Sequence, residues 1–251
     1  MRRYLRGGIV LLLLPASVIA ATVLVLTDRV TPRRVHLRLQ AWMMQRWFRV
    51  LARAFGLRIR VRGTPHGRPV MVACNHQSWL DIVALGATLP GAFVSKAEIA
   101  NWPMLGFFAR SGGRTLFISR GEMRSFQSLG GELIGRLRDG ERVIFFPEGT
   151  VNDAPEPMRF KPRLFRAALA SGCAVQPVAL AYVGGDGAAF ATMNQTQPFV
   201  PHMMRFWAAR RTEVVIEFTP VIKAEGEDHR ALAQDARAQI VESLIKLSHE
   251  G

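Results

Sequence analysis

Residues 70–85 read VMVACNHQSWLDIVAL. The first five form an unbroken apolar run of the kind found in strands buried on both faces. Asn75, His76, Ser78 and Asp81 then crowd polar side chains into seven positions, after which Ile82 and Val83 resume an apolar helical pattern. A buried strand that ends in a polar cluster and turns into a helix belongs to an α/β sheet, where ligands gather at the strands' C-terminal ends. Ser78 is suited to cap the helix, placing His76 just outside it and Asp81 in its first turns. A bend between them would bring the carboxylate to the imidazole. An imidazole so held is a general base near neutral pH, and no Ser or Cys nucleophile is needed if a substrate hydroxyl attacks. Strand alternation points Cys74 into the core, opposite to Asn75.

Outward from this stretch, short β-type runs at 57–61, 92–95, 115–118, 143–146, 174–182 and 214–219 alternate with helical patterns. Amphipathic spacing predicts helices over 124–138 (Phe126, Leu129, Leu133, Leu137) and 230–247 (Leu232, Ala236, Ile240, Leu244). The expected fold is α/β, a mixed, mostly parallel sheet flanked by helices, preceded by an N-terminal membrane-anchoring helical segment. Residues 152–162, with three prolines, predict an exposed loop after a strand end. Gly184, Gly185 and Gly187 lack the spacing of a nucleotide-binding glycine loop.

Residues 7–26, GGIVLLLLPASVIAATVLVL, carry no charge and are long enough to cross a bilayer as a helix. A cleaved signal peptide is disfavoured by the length of the run and the poor A-x-A site around Ala20 and Ala21. More arginines follow it (Arg29, Arg33, Arg34, Arg38) than precede it (Arg2, Arg3, Arg6), which predicts a cytoplasmic-membrane protein with its bulk facing the cytoplasm. Residues 35–55 predict a second helix. Leu39, Met43, Trp47, Val50 and Ala54 lie on one side and Arg38, Gln45, Arg49 and Arg53 on another, as suits a membrane interface; an ordinary helix packed on the domain is the alternative. The chain thus divides into a membrane-directed unit, 1–56, and an α/β domain, 57–251.

Net charge is +14, and only four of the 33 basic residues are lysine. That excess seeks an anionic partner, and beside two membrane-directed segments anionic lipid is a better match than nucleic acid, for which no recognition module is present. The two cysteines, Cys74 and Cys173, are not spaced for a disulfide framework or a zinc site, and no metal is expected.

Two further blocks end strands in polar tips: GRTLFISR (113–120) and FFPEGT (145–150), followed later by VQPVAL (175–180). With NHQSWLD, in this order and at these separations, they resemble the four ordered blocks of the glycerophospholipid acyltransferases over about residues 57–220. The resemblance implies acyl transfer from an acyl carrier protein or coenzyme A thioester to the free hydroxyl of a lysophospholipid, 1-acylglycerol-3-phosphate first, with no cofactor. Lyso-ornithine lipid, which lacks the phosphate, is the alternative acceptor. It implies that His76 takes the hydroxyl proton and Asp81 orients His76. Arg120 would bind the acceptor phosphate, and Glu148, Gly149 and Thr150 its glycerol end. Lys96 would contact a phosphate or the carrier. Asn75, Ser78, Gly113 and Phe117 fall in the same substrate-binding blocks, and Gln176, Pro177 and Val178 in the fourth block, on the acyl-chain side. Two departures stand at the headgroup end. Val151, Asn152 and Asp153 follow FPEGT where a basic or serine residue is usual, and Ser119 replaces the usual acid before Arg120.

Overall fold

The computed structural model describes residues 8, 22, 31–67, 69–97, 115–118, 123–194, 196–226 and 228–249, without the side chains of 33, 34, 123–127 and 207. Its elements are α1 (Arg33–Ala54), β1 (Leu57–Gly63), β2 (Val70–Cys74), α2 (Leu80–Thr88), β3 (Ala92–Lys96), β4 (Thr115–Ile118), α3 (Met123–Arg138) and β5 (Arg142–Phe145). A 3-10 turn (Pro162–Phe165), α4 (Arg166–Ser171), β6 (Val175–Gly184), α5 (Ala188–Ala191), α6 (Phe199–Ala208), β7 (Thr212–Phe218) and α7 (His229–His249) complete it. The strands form one sheet in the order β1-β7-β6-β2-β5-β3-β4. All neighbours are parallel except β6 and β7, so the mixed, mostly parallel sheet is as expected.

Strand β2 lies mid-sheet, and each of its five residues is fully buried. Val70, Val72 and Cys74 join one core layer with α1, α2 and α6. Met71 and Ala73 face the other, against α3, α4 and α7. Alternation has buried Cys74 as its place in the strand predicts.

Helix α1 packs on this domain, and its inward stripe is Ala41, Phe48, Leu51, Ala52 and Phe55. The apolar side read from the sequence is met in part: Ala54 is buried and Trp47 packs on the core, but Val50 is exposed, as are Val35 and Trp42. Two local fits set the rotation. A Cβ on Gly86 would lie 2.3 Å from the Phe48 ring, so glycine there lets that ring seat on α2. Gln45 and Arg49 donate to the carbonyls of Ala87 and Thr88, covering acceptors that the end of α2 leaves open. Part of the polar side, Gln45 and Arg49, is therefore a cap for α2.

The apolar run 7–26 lies, apart from Gly8 and Thr22, outside the described residues. Among the described residues no helix is long and apolar enough to cross a membrane.

Candidate active site

The loop between β2 and α2 is folded around one carboxylate. Asp81 is fully buried, and its Oδ2 accepts the backbone N–H groups of Gln77 (2.7 Å) and Ser78 (2.8 Å). The same oxygen lies 2.8 Å from His76 Nδ1, so the bend that the sequence required is formed. Two backbone donors fix Asp81, and Asp81 fixes the ring as an Nδ1–H tautomer. Among the described residues Nε2 has no hydrogen-bond partner, and the side chain retains 15% exposure, so the reactive nitrogen faces outward.

The far oxygen of Asp81 accepts a hydrogen bond from the Tyr182 hydroxyl at 2.6 Å. Burial, then the Asp81 charge, holds this phenol well above its ordinary 10, so it stays a donor. Tyr182 reaches the site because β6 runs on beyond the last β2 pairing, Cys74 with Val178. Replacing Tyr182 by Phe leaves one oxygen of a buried carboxylate without its donor. A hydrogen bond to a charged group contributes about 1.5–3 kcal/mol, so kcat should fall by roughly tenfold or more with KM nearly unchanged in steady-state assays.

His76 is also held from β5. Its N–H donates to Glu148 Oε1 at 2.7 Å, its carbonyl accepts the Asn152 N–H at 2.9 Å, and its ring stacks on Phe146 at 4.0 Å. The second Glu148 oxygen accepts the Met158 N–H at 2.9 Å. Glu148 is thus a buried clasp between the His76 backbone and the 152–161 loop, with both oxygens occupied, and not an open contact for glycerol. Burial pushes its carboxyl up from the ordinary 4.5, against the pull of the two N–H donors. That loop is less exposed than its prolines predict, since Pro157 and Phe160 are buried.

Asn75 and Ser78, expected at the substrate, are positioning residues in the structure. The Asn75 amide takes the place of a ladder residue, donating to the Leu180 carbonyl and accepting its N–H. Ser78 is fully buried and accepts the Leu80 N–H, so it caps the helix in effect although α2 begins two residues later. Cys74 carries no reactive thiolate: burial first, then Asp81 and Glu148, raises its thiol well above the ordinary 9.

Gly149 adopts φ +72, a conformation that disfavours other residues, and a Cβ there would lie 2.7 Å from Lys161 Nζ. Lys161, which the motif reading passed over, therefore brings a cation against FPEGT, beside half-buried Thr150. Lys96 ends β3 and pairs with Ile118, the last residue of the neighbouring strand β4, while Phe117 pairs with Ser95. Gly113 and Arg120 lie outside the described residues. The fourth block begins at the far ends of the strands, where Gln176 bridges backbone groups of Thr64, His66 and Thr219; its strand reaches the site at Leu180, which pairs with Asn75, and at Tyr182.

The segment after β6 closes over the catalytic loop. The Met193 N–H donates to the Gln77 carbonyl at 2.9 Å, and Trp79 Nε1–H donates to His202 Nδ1 at 3.0 Å. That bond requires His202 neutral, and burial, as the main cause, holds its imidazole below the ordinary 6.5. Below 6.5 the unfolded chain takes the proton first, so His202 contributes stability that is full above that value and is lost as pH falls. Thermal unfolding should show a larger Tm decrease from pH 7 to pH 5.5 in the native chain than in His202→Asn, whose amide oxygen still accepts from Trp79.

Among the described residues, the site joins a buried carboxylate to an oriented imidazole at the C-terminal end of a parallel strand, with the Cys74 thiol and the Ser78 hydroxyl both fully buried. Comparison with known proteins identifies the family. A family model described as Acyltransferase matches residues 58–181. The chain is 36% identical over 213 residues to the lyso-ornithine lipid O-acyltransferase of Pseudomonas aeruginosa, covering 84% of this chain and 79% of that protein. It is 34% identical over 179 residues to the 1-acyl-sn-glycerol-3-phosphate acyltransferase of Neisseria gonorrhoeae, covering 70% of each. The crystal structure of the 1-acyl-sn-glycerophosphate acyltransferase of Thermotoga maritima superposes with a TM-score of 0.70 at 19% identity, over 99% of this chain and 98% of that one. This chain belongs to the glycerolipid acyltransferase family. It is an acyl-transfer enzyme, and its family implies a lysolipid acceptor.

Proposed function

We propose that this enzyme moves a fatty acyl group from an acyl carrier protein or coenzyme A thioester to the free hydroxyl of a lysolipid, with His76 as general base. The observation that carries the reading is the 2.8 Å contact between His76 Nδ1 and buried Asp81, which leaves Nε2 facing outward. In the reaction Nε2 takes the acceptor's hydroxyl proton as its oxygen attacks the thioester carbonyl. The C–S bond then breaks, and the leaving thiolate takes the proton back from the imidazolium. Asp81 stabilises the imidazolium while it exists.

Of the two acceptors, we place lyso-ornithine lipid ahead of 1-acylglycerol-3-phosphate. The residue after FPEGT is Val151, and the Asn152 side chain is engaged within its own loop by Ala154 and Glu156. No basic side chain therefore stands directly after the motif to meet a phosphate. Relatives at 36% and 35% identity bear the lyso-ornithine name. The second reading draws on Lys161, a cation beside Gly149, and on Arg120. Purified enzyme offered both acceptors in one assay should acylate lyso-ornithine lipid at least tenfold faster, and Arg120→Ala should spare that activity. Preference for the phosphate-bearing acceptor, lost in Arg120→Ala, would assign phosphatidic acid as the product.

The same reading places the enzyme at the cytoplasmic membrane with residues 7–26 as anchor and the catalytic domain in the cytoplasm. Its basic surface would meet anionic lipid and an acidic donor carrier.

A further inference from the structure

We propose that the outer face of α6, continued by Phe190 of α5, is a docking surface that seats the rim of the active site on an anionic phospholipid bilayer. The inference rests on the lysolipid reading above. It locates a contact that neither the motifs nor the N-terminal segments indicate.

Helix α6 is joined to the catalytic loop. Besides the bonds from Met193 and Trp79, the Trp79 ring packs edge-on against Phe199 at 5.3 Å. Whatever holds α6 therefore holds His76. The helix has two unlike sides. His202 and Phe206 are buried against the core, whereas Val200 and Met204, one turn apart, are 59% and 56% exposed. Phe190 is 49% exposed.

The distribution of such residues is one-sided. Among the described residues, Val35, Trp42, Val50, Phe190, Val200 and Met204 are all exposed on α1, α5 and α6, the helices of one core layer. Among the described residues, the helices of the opposite layer expose one large apolar residue, Ile245. An apolar face on one layer only is what a planar partner requires.

Charge identifies that partner. Residues 187–212 contain no Asp or Glu and include Arg205, Arg210 and Arg211. Arg205, next to Met204 in α6, and Arg210, just past its end, are exposed, whereas Arg211 is paired with Glu213. A second copy of this chain would oppose arginine to arginine across such a face. An anionic bilayer instead accepts the apolar side chains below its headgroups and the guanidinium groups among its phosphates.

A local probe tests this without turnover, so failure of the acyl-transfer reading would leave the readout intact. Both native cysteines, Cys74 and Cys173, are buried. Full-length Met204→Cys and Ile245→Cys proteins, at positions of matched exposure, are labelled with a polarity-sensitive fluorophore and reconstituted into phosphatidylglycerol/phosphatidylethanolamine vesicles. At 204 the expected result is at least threefold stronger quenching by spin-labelled lipid than at 245, and correspondingly weaker quenching by aqueous iodide. Lipid quenching at 204 should fall when phosphatidylcholine replaces the anionic lipid. Equal iodide quenching at both positions would overturn the proposal, as would protection of 204 from both quenchers, which would mean cover by another protein surface. Undiminished lipid quenching in phosphatidylcholine would overturn the anionic assignment.

Discussion

Replacing His76 by alanine is expected to lower the acyl-transfer rate by about 10³-fold or more, the upper range for loss of a positioned general base. The loss should fall on chemistry rather than on folding. Asp81 keeps the N–H groups of Gln77 and Ser78 and the Tyr182 hydroxyl, so the buried carboxylate remains satisfied. The His76 backbone bonds to Glu148 and Asn152 do not depend on its side chain. What goes is the Nδ1–H bond to Asp81, whose Oδ2 keeps two other donors, and the ring stack on Phe146, at a partly exposed position. Thermal unfolding should therefore shift by the equivalent of about 1–3 kcal/mol, the range for one hydrogen bond to a charged group and a partly exposed ring contact. A comparable loss of activity with collapse of Tm would instead mean that the imidazole is a structural pin.

Asp81→Asn separates charge from geometry. With its oxygen toward Gln77 and Ser78 and its nitrogen toward Tyr182, whose hydroxyl then accepts, the amide reproduces every contact of the carboxylate. The negative charge that would stabilise the imidazolium is gone. The expected result is a fall in kcat of about 10³–10⁴-fold, as when the acid of such a pair is made neutral elsewhere. Tm should be unchanged or higher, because a fully buried charge no longer has to be desolvated. Asp81→Ala should lose both activity and stability, since three N–H donors and a phenol would face an empty site. Measuring kcat and Tm for the pair of variants distinguishes an electrostatic role from a scaffolding one.

The division between what could be read from the sequence and what could not follows from the range of each interaction. All seven strands lie close to where their β-type runs placed them, most plainly β2 and β5, which are buried on both faces and so leave an unbroken apolar pattern. Helix α6 went unread, its apolar pattern interrupted by Pro201, a residue tolerated in the first helical turn but ambiguous in sequence. The His76–Asp81 pair is local, five residues apart, and the loop that joins them forms as expected. Tyr182 is 101 residues from Asp81 and meets it only because β6 overruns its neighbour, a register that no single segment carries. Glu148 was legible as important and misread in kind. A motif marks a polar side chain but not whether backbone donors already occupy it, and here His76 and Met158 occupy both oxygens. The same holds for Asn75, whose amide completes a strand ladder, and for the rotation of α1, set by a notch at Gly86.

The claim on which the account rests is that the acceptor hydroxyl attacks the thioester directly, with His76 taking its proton. Ser78 and Cys74 are both fully buried, so no covalent acyl-enzyme is expected. The most direct measurement is rapid quenching of the enzyme with radiolabelled acyl thioester, with and without lysolipid, in the native chain and in His76→Ala. The account predicts label passing from thioester to lipid, none on protein at any time, and no transfer above background in the variant. Label that accumulates on the protein before it reaches lipid, or transfer that survives the loss of His76, would contradict it.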